Sequence, residues 1–170
     1  MKKIIFLFAA LSAVFFPSCS GPEGPPGPQG NPGPIFEAEV FEVTRNLNAS
    51  TNFAALVPLN PPILASDVVL TYVLWEVDNG EPIWRLMPQT VQLNEGDLQY
   101  NYDFTRFDVN IFLSSADFQL TILGPQWTQN QTFRIVLIPG YFASAKMNYS
   151  DYESVVNSFG LSESDVKKID

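Results

Sequence analysis

The sequence predicts an all-β protein, an antiparallel β-sandwich or small barrel of about eight strands with a short C-terminal helical tail. Between positions 35 and 142, short apolar segments are separated by turn residues at intervals of roughly ten residues, which is typical of such folds. Residues 97–104 alternate strictly, with Leu98, Tyr100 and Tyr102 on one face and polar side chains on the other. Because the chain has 14 Phe, 6 Tyr and 3 Trp but a single cysteine, its core must form without an internal disulfide.

Nine segments are candidates for these strands, since each is bounded by residues that favour turns. They are residues 36–44, 53–57, 68–77, 83–87, 90–93, 97–104, 107–113, 118–123 and 132–138. The third segment is apolar on both faces, which predicts a central strand, and the following Asp78-Asn79-Gly80-Glu81 predicts a hairpin turn. In the first segment the apolar phase changes between Val40 and Phe41, which predicts a β-bulge.

The C-terminal tail, residues 143–170, has helix signals instead of strand signals. Ser150 and Glu153 have the spacing of a capping box and Gly160 fits a helix stop, so a helix is expected over residues 150–159. Ser162 is expected to cap a second short helix that ends at Lys167-Lys168, because acidic residues come early and basic residues late, as the helix dipole favours.

The N-terminus has the layout of a secretory signal that ends at a cysteine. Lys2 and Lys3 precede a run without charges, residues 4–16, which is too short to span a bilayer as a helix. Cys19 follows, and residues 16–19 resemble the lipobox of bacterial lipoproteins, although Phe16 stands where leucine is usual. The alternative is an ordinary secretory signal that leaves a free thiol at Cys19.

A collagen-like segment follows the cysteine. Glycine recurs at every third position, namely 21, 24, 27, 30 and 33, and proline fills six of the ten positions between 21 and 35 that are not glycine. This period suits a collagen triple helix, so a homotrimer through the stalk is one interpretation. Five triplets give few contacts between chains, which favours a monomer with a stiff spacer, on the order of 40 Å long at about 3.1 Å per residue.

Cys19, the Gly-Pro triplets and the small acidic β-rich domain together resemble small collagen-like lipoproteins of bacterial envelopes, and the specific part of this resemblance covers residues 1–34. The resemblance implies a lipid on Cys19 and a location at the cell envelope, in the outer membrane or at the cell surface. It divides the chain into a signal peptide (1–18), a lipidated cysteine with its stalk (19–34), a β-sandwich (35–142) and the helical tail (143–170).

Composition excludes several kinds of chemistry. The chain has no histidine, which excludes Ser-His-Asp and Cys-His catalysis and histidine metal sites, and it has no phosphate-binding glycine motif. Its net charge of −9, which becomes −11 when Lys2 and Lys3 leave with the signal, repels nucleic acid. We therefore predict a non-enzymatic interaction or structural module without a cofactor or a resident metal, whose protein or glycan partner the sequence does not identify.

Carboxylate pairs are the remaining candidates for catalysis or metal binding. The pairs are Asp78 with Glu81, Glu95 with Asp97, and Asp103 with Asp108. Glycosidases use two carboxylates, and calcium binds oxygen ligands in loops, so the first two pairs are also candidate calcium ligands. All three pairs lie on predicted turns or solvent faces, which favours solvated surface charge.

Two tryptophans are candidate ligand-binding residues. Trp127 lies in a polar, amide-rich segment, residues 124–131, and an aromatic ring beside amides is the combination that sugar-binding sites use. Trp84 is the second candidate. The alternative carbohydrate-binding function requires Trp84 or Trp127 to be exposed on a concave face, whereas the competing interpretation packs Trp127 against the edge of the sandwich.

Overall fold

A computed structural model describes residues 37–142 and 147–169 of this chain, so the signal peptide, Cys19 and the stalk lie outside the described residues. Nine strands and two short α-helices are found within these ranges. The strands are β1 Glu39–Arg45, β2 Ala54–Pro58, β3 Val68–Asp78, β4 Glu81–Leu86, β5 Gln89–Leu93, β6 Gly96–Phe104, β7 Asp108–Ser114, β8 Gln131–Ile138 and β9 Val166–Ile169. The helices are α1 Pro125–Thr128 and α2 Tyr152–Ser158.

The strands form two sheets, which confirms the predicted β-sandwich and not the barrel alternative. The first sheet has the order β4-β3-β8-β1-β9, and the second has the order β2-β7-β6-β5. All neighbouring strands are antiparallel except β1 and β9, which pair in parallel. The β3–β4 hairpin expected at residues 78–81 is present, and Asn79 and Gly80 take the positive φ angles that a tight hairpin turn needs. Strands β6 and β7 form a second hairpin.

The main core lies between the inner faces of the two sheets. Phe133 and Ile135 of the first sheet and Leu98, Tyr100 and Ile111 of the second are almost completely buried there. This arrangement follows from the period of two along each strand, which sends alternate side chains to the same face. The alternation predicted for residues 97–104 is therefore confirmed at its buried positions.

A second core covers the outer face of the first sheet. Tyr72 and Val136 of the sheet pack there against Tyr152, Val155 and Val156 of α2, and all five side chains are buried. The first sheet is thus covered on both faces, which explains why β3 and β8 are apolar on both sides. The prediction of an internal strand at residues 68–77 is confirmed, since β3 lies between β4 and β8.

The predicted β-bulge in the first strand is wrong. The β1–β8 register runs without a break from Glu39 opposite Leu137 to Arg45 opposite Gln131. The apolar phase changes because Val40 faces the second core while its neighbour Phe41 packs against the main core. Both faces of β1 are covered, so consecutive apolar residues need no bulge.

Two further elements differ from the expectation. Residues 118–123 do not form a strand, because Leu120–Ile122 form a 3-10 turn instead. The second C-terminal helix is also wrong: Ser162 makes a capping box with Asp165, but only a single 3-10 turn follows before the chain continues as β9. Pairing with β1 outweighs the helix signals there, since it gives Val166–Ile169 backbone partners that an isolated short helix lacks.

The first C-terminal helix is confirmed with a different cap. It spans Tyr152–Ser158, and the Asp151 side chain accepts a hydrogen bond from the backbone N–H of Ser154. The apolar side of this helix packs on the sheet, since Tyr152, Val155 and Val156 are buried, and Phe159 contacts Phe142 edge to face.

We predict that deleting residues 162–170 strongly destabilises the sandwich, because the deletion exposes the edge of β1 and removes Glu163 from Arg134. The expected loss in the free energy of unfolding exceeds the roughly 1–2 kcal/mol of the Arg134–Glu163 pair, in which 67% of the Glu163 side chain is exposed, because the deletion also removes the pairing of β9 with β1. Urea unfolding followed by circular dichroism measures this loss. An unchanged midpoint would show that β9 adds nothing to the fold.

Candidate functional site

Trp84 is partly buried and packs against the second core. The Arg134 guanidinium lies 4.3 Å from the centre of the Trp84 ring, and the Tyr152 ring centre lies 5.7 Å away. The indole nitrogen is buried and has no hydrogen-bond partner among the described residues. These contacts place Trp84 in the second core, where stacking of a cation on an aromatic face stabilises the packing.

Arg134 is the centre of a buried polar network in that core. Only 4% of the residue is exposed. Its guanidinium donates two hydrogen bonds to the Glu163 carboxylate, at 2.5 and 2.6 Å, one to Glu42 at 3.0 Å, and one to the Tyr152 hydroxyl at 2.7 Å. The network joins strands β8 and β1 to the C-terminal segment, so it holds that segment on the sheet.

The pKa values in the network follow from burial and pairing. Burial acts to lower the pKa of Arg134, but the hydrogen bonds to Glu163 and Glu42 raise it overall, so the guanidinium stays charged. The hydrogen bond from Arg134 holds the pKa of Glu163 below its usual value. Burial raises the pKa of Tyr152 to about 12. At neutral pH Arg134 is therefore a cation paired with the Glu163 carboxylate, and Tyr152 is a neutral phenol.

Trp127 lies on α1 beside a polar cleft of about 410 Å³. Its side chain is half-buried and packs against the main core, and its carbonyl oxygen accepts a hydrogen bond from the buried Tyr100 hydroxyl at 2.8 Å. The cleft carries the amide side chains of Gln92, Asn94 and Gln126. An aromatic residue and three amide residues therefore line one cleft, which Trp84 does not line, and of the amides flanking Trp127 in the sequence only Gln126 lines it.

A second, apolar cleft of about 280 Å³ lies where the first sheet meets the segment after β2. Its walls are mainly apolar and include four prolines. The lining residues are Glu37, Glu39, Phe41, Pro58, Leu59, Asn60, Pro61, Pro62, Ile63, Leu64, Asp67, Leu137, Ile138, Pro139 and Ile169. Sequence reasoning missed this cleft because its lining comes from four separate stretches of chain with no shared motif.

The candidate carboxylate pairs remain on the surface. Asp78 and Glu81 face each other across the exposed end of the β3–β4 hairpin. Asp108 accepts a hydrogen bond from the Thr105 hydroxyl at 2.8 Å, which stabilises the β6–β7 turn. No group of three or more His, Cys, Asp and Glu side chains within residues 37–142 and 147–169 has the arrangement of a metal site.

Comparisons with other proteins identify no relative, since no protein-family model, curated protein or solved structure matches this chain. Among the described residues, no helix has the length and apolar character needed to cross a membrane.

We predict that Glu163→Gln lowers the free energy of unfolding by about 1–2 kcal/mol near neutral pH. This loss is smaller than for a fully buried ion pair, because 67% of the Glu163 side chain is exposed. The depressed pKa of Glu163 means that its contribution is present above the unfolded value of 4.5 and is lost as the pH falls through the folded value. Urea titrations between about pH 3 and 7 should show the variant and the wild type converging at the acid end.

The matched control is Glu153→Gln, since Glu153 is an exposed residue of α2 in the same segment. We expect this control to leave the free energy of unfolding nearly unchanged. Equal losses in both variants would contradict a specific role for the Arg134–Glu163 pair.

Proposed function

We propose that this chain is a bacterial envelope protein that is anchored by a lipid on Cys19 and acts as a non-enzymatic interaction or structural module. The observation that carries the proposal is a lone cysteine at the end of a secretory signal, followed at once by Gly-Pro triplets. Acylation at Cys19 supplies the membrane attachment, and more than one acyl chain makes the attachment durable. The stalk then holds the sandwich away from the bilayer at the outer membrane or cell surface.

The described domain supports an interaction role through its clefts. The apolar cleft offers a concave surface lined by aliphatic, proline and phenylalanine side chains, which is the usual composition of a binding site. The strongly perturbed charged group, Arg134, is engaged on all sides in holding the C-terminal segment. The clefts are therefore the features of the described domain that support a role in recognition.

We predict that Cys19→Ser abolishes membrane association, because the serine hydroxyl cannot replace the thiol as the lipid acceptor. Membrane fractionation and intact mass measure the result. The wild-type protein should carry a lipid-sized mass increment on a chain that starts at Cys19, and the variant should carry none. Ser20→Ala is the matched control, since it changes the neighbouring residue and keeps the thiol. A wild-type protein without lipid, recovered in the soluble fraction, would overturn the proposal.

The alternative function is carbohydrate binding at the polar cleft beside Trp127. It is favoured by the half-buried Trp127 ring together with the Gln92, Asn94 and Gln126 amides, since a flat apolar face and orienting hydrogen bonds suit a sugar ring. An oligosaccharide held there would place the protein in a surface assembly that captures glycans.

We predict, for this alternative, that Trp127→Ala abolishes binding on a glycan array, whereas Trp127→Phe keeps part of it because a ring face remains. Thermal unfolding of both variants separates loss of the ring from loss of the fold. Gln89→Ala, on β5 and outside the cleft lining, is the control and should bind as the wild type does. Failure of the wild-type protein to bind any glycan would rule the alternative out.

A further inference from the structure

The apolar cleft has walls that are already fixed in the folded domain. Leu59 donates its backbone N–H to the Phe107 carbonyl at 2.7 Å, and Ile63 donates its N–H to the Arg106 carbonyl at 2.9 Å. The Arg106 side chain donates in turn to the Ile63 carbonyl at 3.0 Å. The proline-rich segment is therefore tied to the β6–β7 turn at two points. Binding of a ligand in the cleft should cost little conformational entropy in this segment.

All of the ionisable residues that line the cleft are acidic, namely Glu37, Glu39 and Asp67. The side of the cleft formed by Glu37 and Glu39 is called its mouth here. The two Asp67 oxygens already accept hydrogen bonds from the backbone N–H groups of Leu64 and Gly140, at 2.8 and 3.1 Å. Glu37 is exposed, and the described part of the chain provides it with no hydrogen bond or ion pair, so its carboxylate is available to a ligand.

The protein itself places an ammonium group at this mouth. Lys167 on β9 puts its Nζ atom 3.0 Å from the Glu39 carboxylate and 5.4 Å from the centre of the Phe41 ring, and both of these residues line the cleft. A cation beside a carboxylate and over an aromatic face is attracted by both. Lys167 thus shows that an ammonium group fits at the mouth, and it competes with a ligand for the Glu39 carboxylate and the Phe41 ring.

We propose that the apolar cleft binds a small amphiphilic amine, that is, an aliphatic or aromatic group carrying one ammonium. The apolar part lies against Leu59, Ile63 and Ile169, and the ammonium lies at the mouth near Glu37 and Glu39. The net charge of −9 adds a long-range attraction for cations. This inference rests on the proposed function, in that it specifies a ligand for the interaction module.

The size of the cleft favours a small molecule over a protein partner. Its volume of about 280 Å³ is close to the lower end of the range of small-molecule sites, about 300–1,000 Å³. A specific protein interface needs more than about 1,000 Å² of buried surface, most of which would have to come from outside the cleft.

The experiment uses the full chain carrying Cys19→Ser, so that no acyl group competes for the cleft. Octylammonium chloride, sodium octanoate and octanol are titrated separately, and backbone amide chemical shifts are followed by NMR. We expect saturable shifts around Leu59, Ile63 and Ile169 with octylammonium. Octanoate should bind at least about fivefold more weakly, because its carboxylate meets the acidic mouth.

Charge variants test the contribution of the mouth. Glu37→Gln should weaken octylammonium binding by about two- to fivefold, the range for an exposed ion pair, and should leave octanol binding unchanged. Lys167→Met should strengthen octylammonium binding by a similar factor, because it removes the competing ammonium. Lys168→Met is the matched control, since Lys168 is the next residue of β9 and pairs with Glu42 away from the cleft, so it should have no effect.

A cavity-filling variant tests the apolar part separately. Ile169→Trp should block octylammonium and octanol alike while leaving every charge in place, and thermal unfolding checks that the variant folds. Three outcomes would overturn the inference: equal binding of octanoate and octylammonium, shifts that map elsewhere, or sedimentation showing that a second copy of the chain covers the cleft. These outcomes leave the lipid on Cys19 untouched, since membrane fractionation tests that proposal independently.

Discussion

The ion-pair network of Arg134 is the interaction on which the covered sheet depends. A guanidinium that is 4% exposed requires compensating partners, because an unpaired charge in a protein interior costs several kcal/mol, on the order of 3–5 when one partner is removed. Glu42 supplies one partner from within the sheet, but Glu163 and Tyr152 come from the C-terminal segment. If that segment left the sheet, Arg134 would lose most of its hydrogen bonds at the same time as the second core lost its cover.

This dependence explains why one sheet of the sandwich is covered on both faces and the other on one face only. The second sheet presents one face to solvent, and its strands alternate between apolar and polar residues, as in β6. The first sheet carries apolar residues on both faces, because α2 packs on its outer side with Tyr152, Val155 and Val156. Trp84 packs against the same second core, and its ring stacks with the Arg134 guanidinium that binds the C-terminal segment to the sheet.

The sequence predicts strands well where local pattern and tertiary contact agree, and poorly where they compete. The alternation of residues 97–104 and the two-sided apolar run of residues 68–77 each reflect a single kind of burial, so both predictions were correct. Residues 162–168 carry helix-capping and charge signals, yet only one 3-10 turn forms and Val166–Ile169 become a strand, because β1 offers an open edge that no local pattern reveals. The apolar cleft is hidden from sequence reasoning for the same reason, since only the fold brings Phe41, Ile63 and Ile169 together.

The parallel pairing of β1 with β9 has a mechanical consequence. The first and last strands of the described chain run side by side in the same direction, with Val40 beside Val166 and Val43 beside Ile169. Tension between the two chain ends therefore pulls these strands in opposite senses along their length. Such tension loads the β1–β9 hydrogen bonds together in shear instead of opening them one after another, because the bonds of the ladder lie across the direction of pull. If the chain is anchored at Cys19 as proposed, β1 is the first strand after the anchor and its pairing with β9 would bear this load.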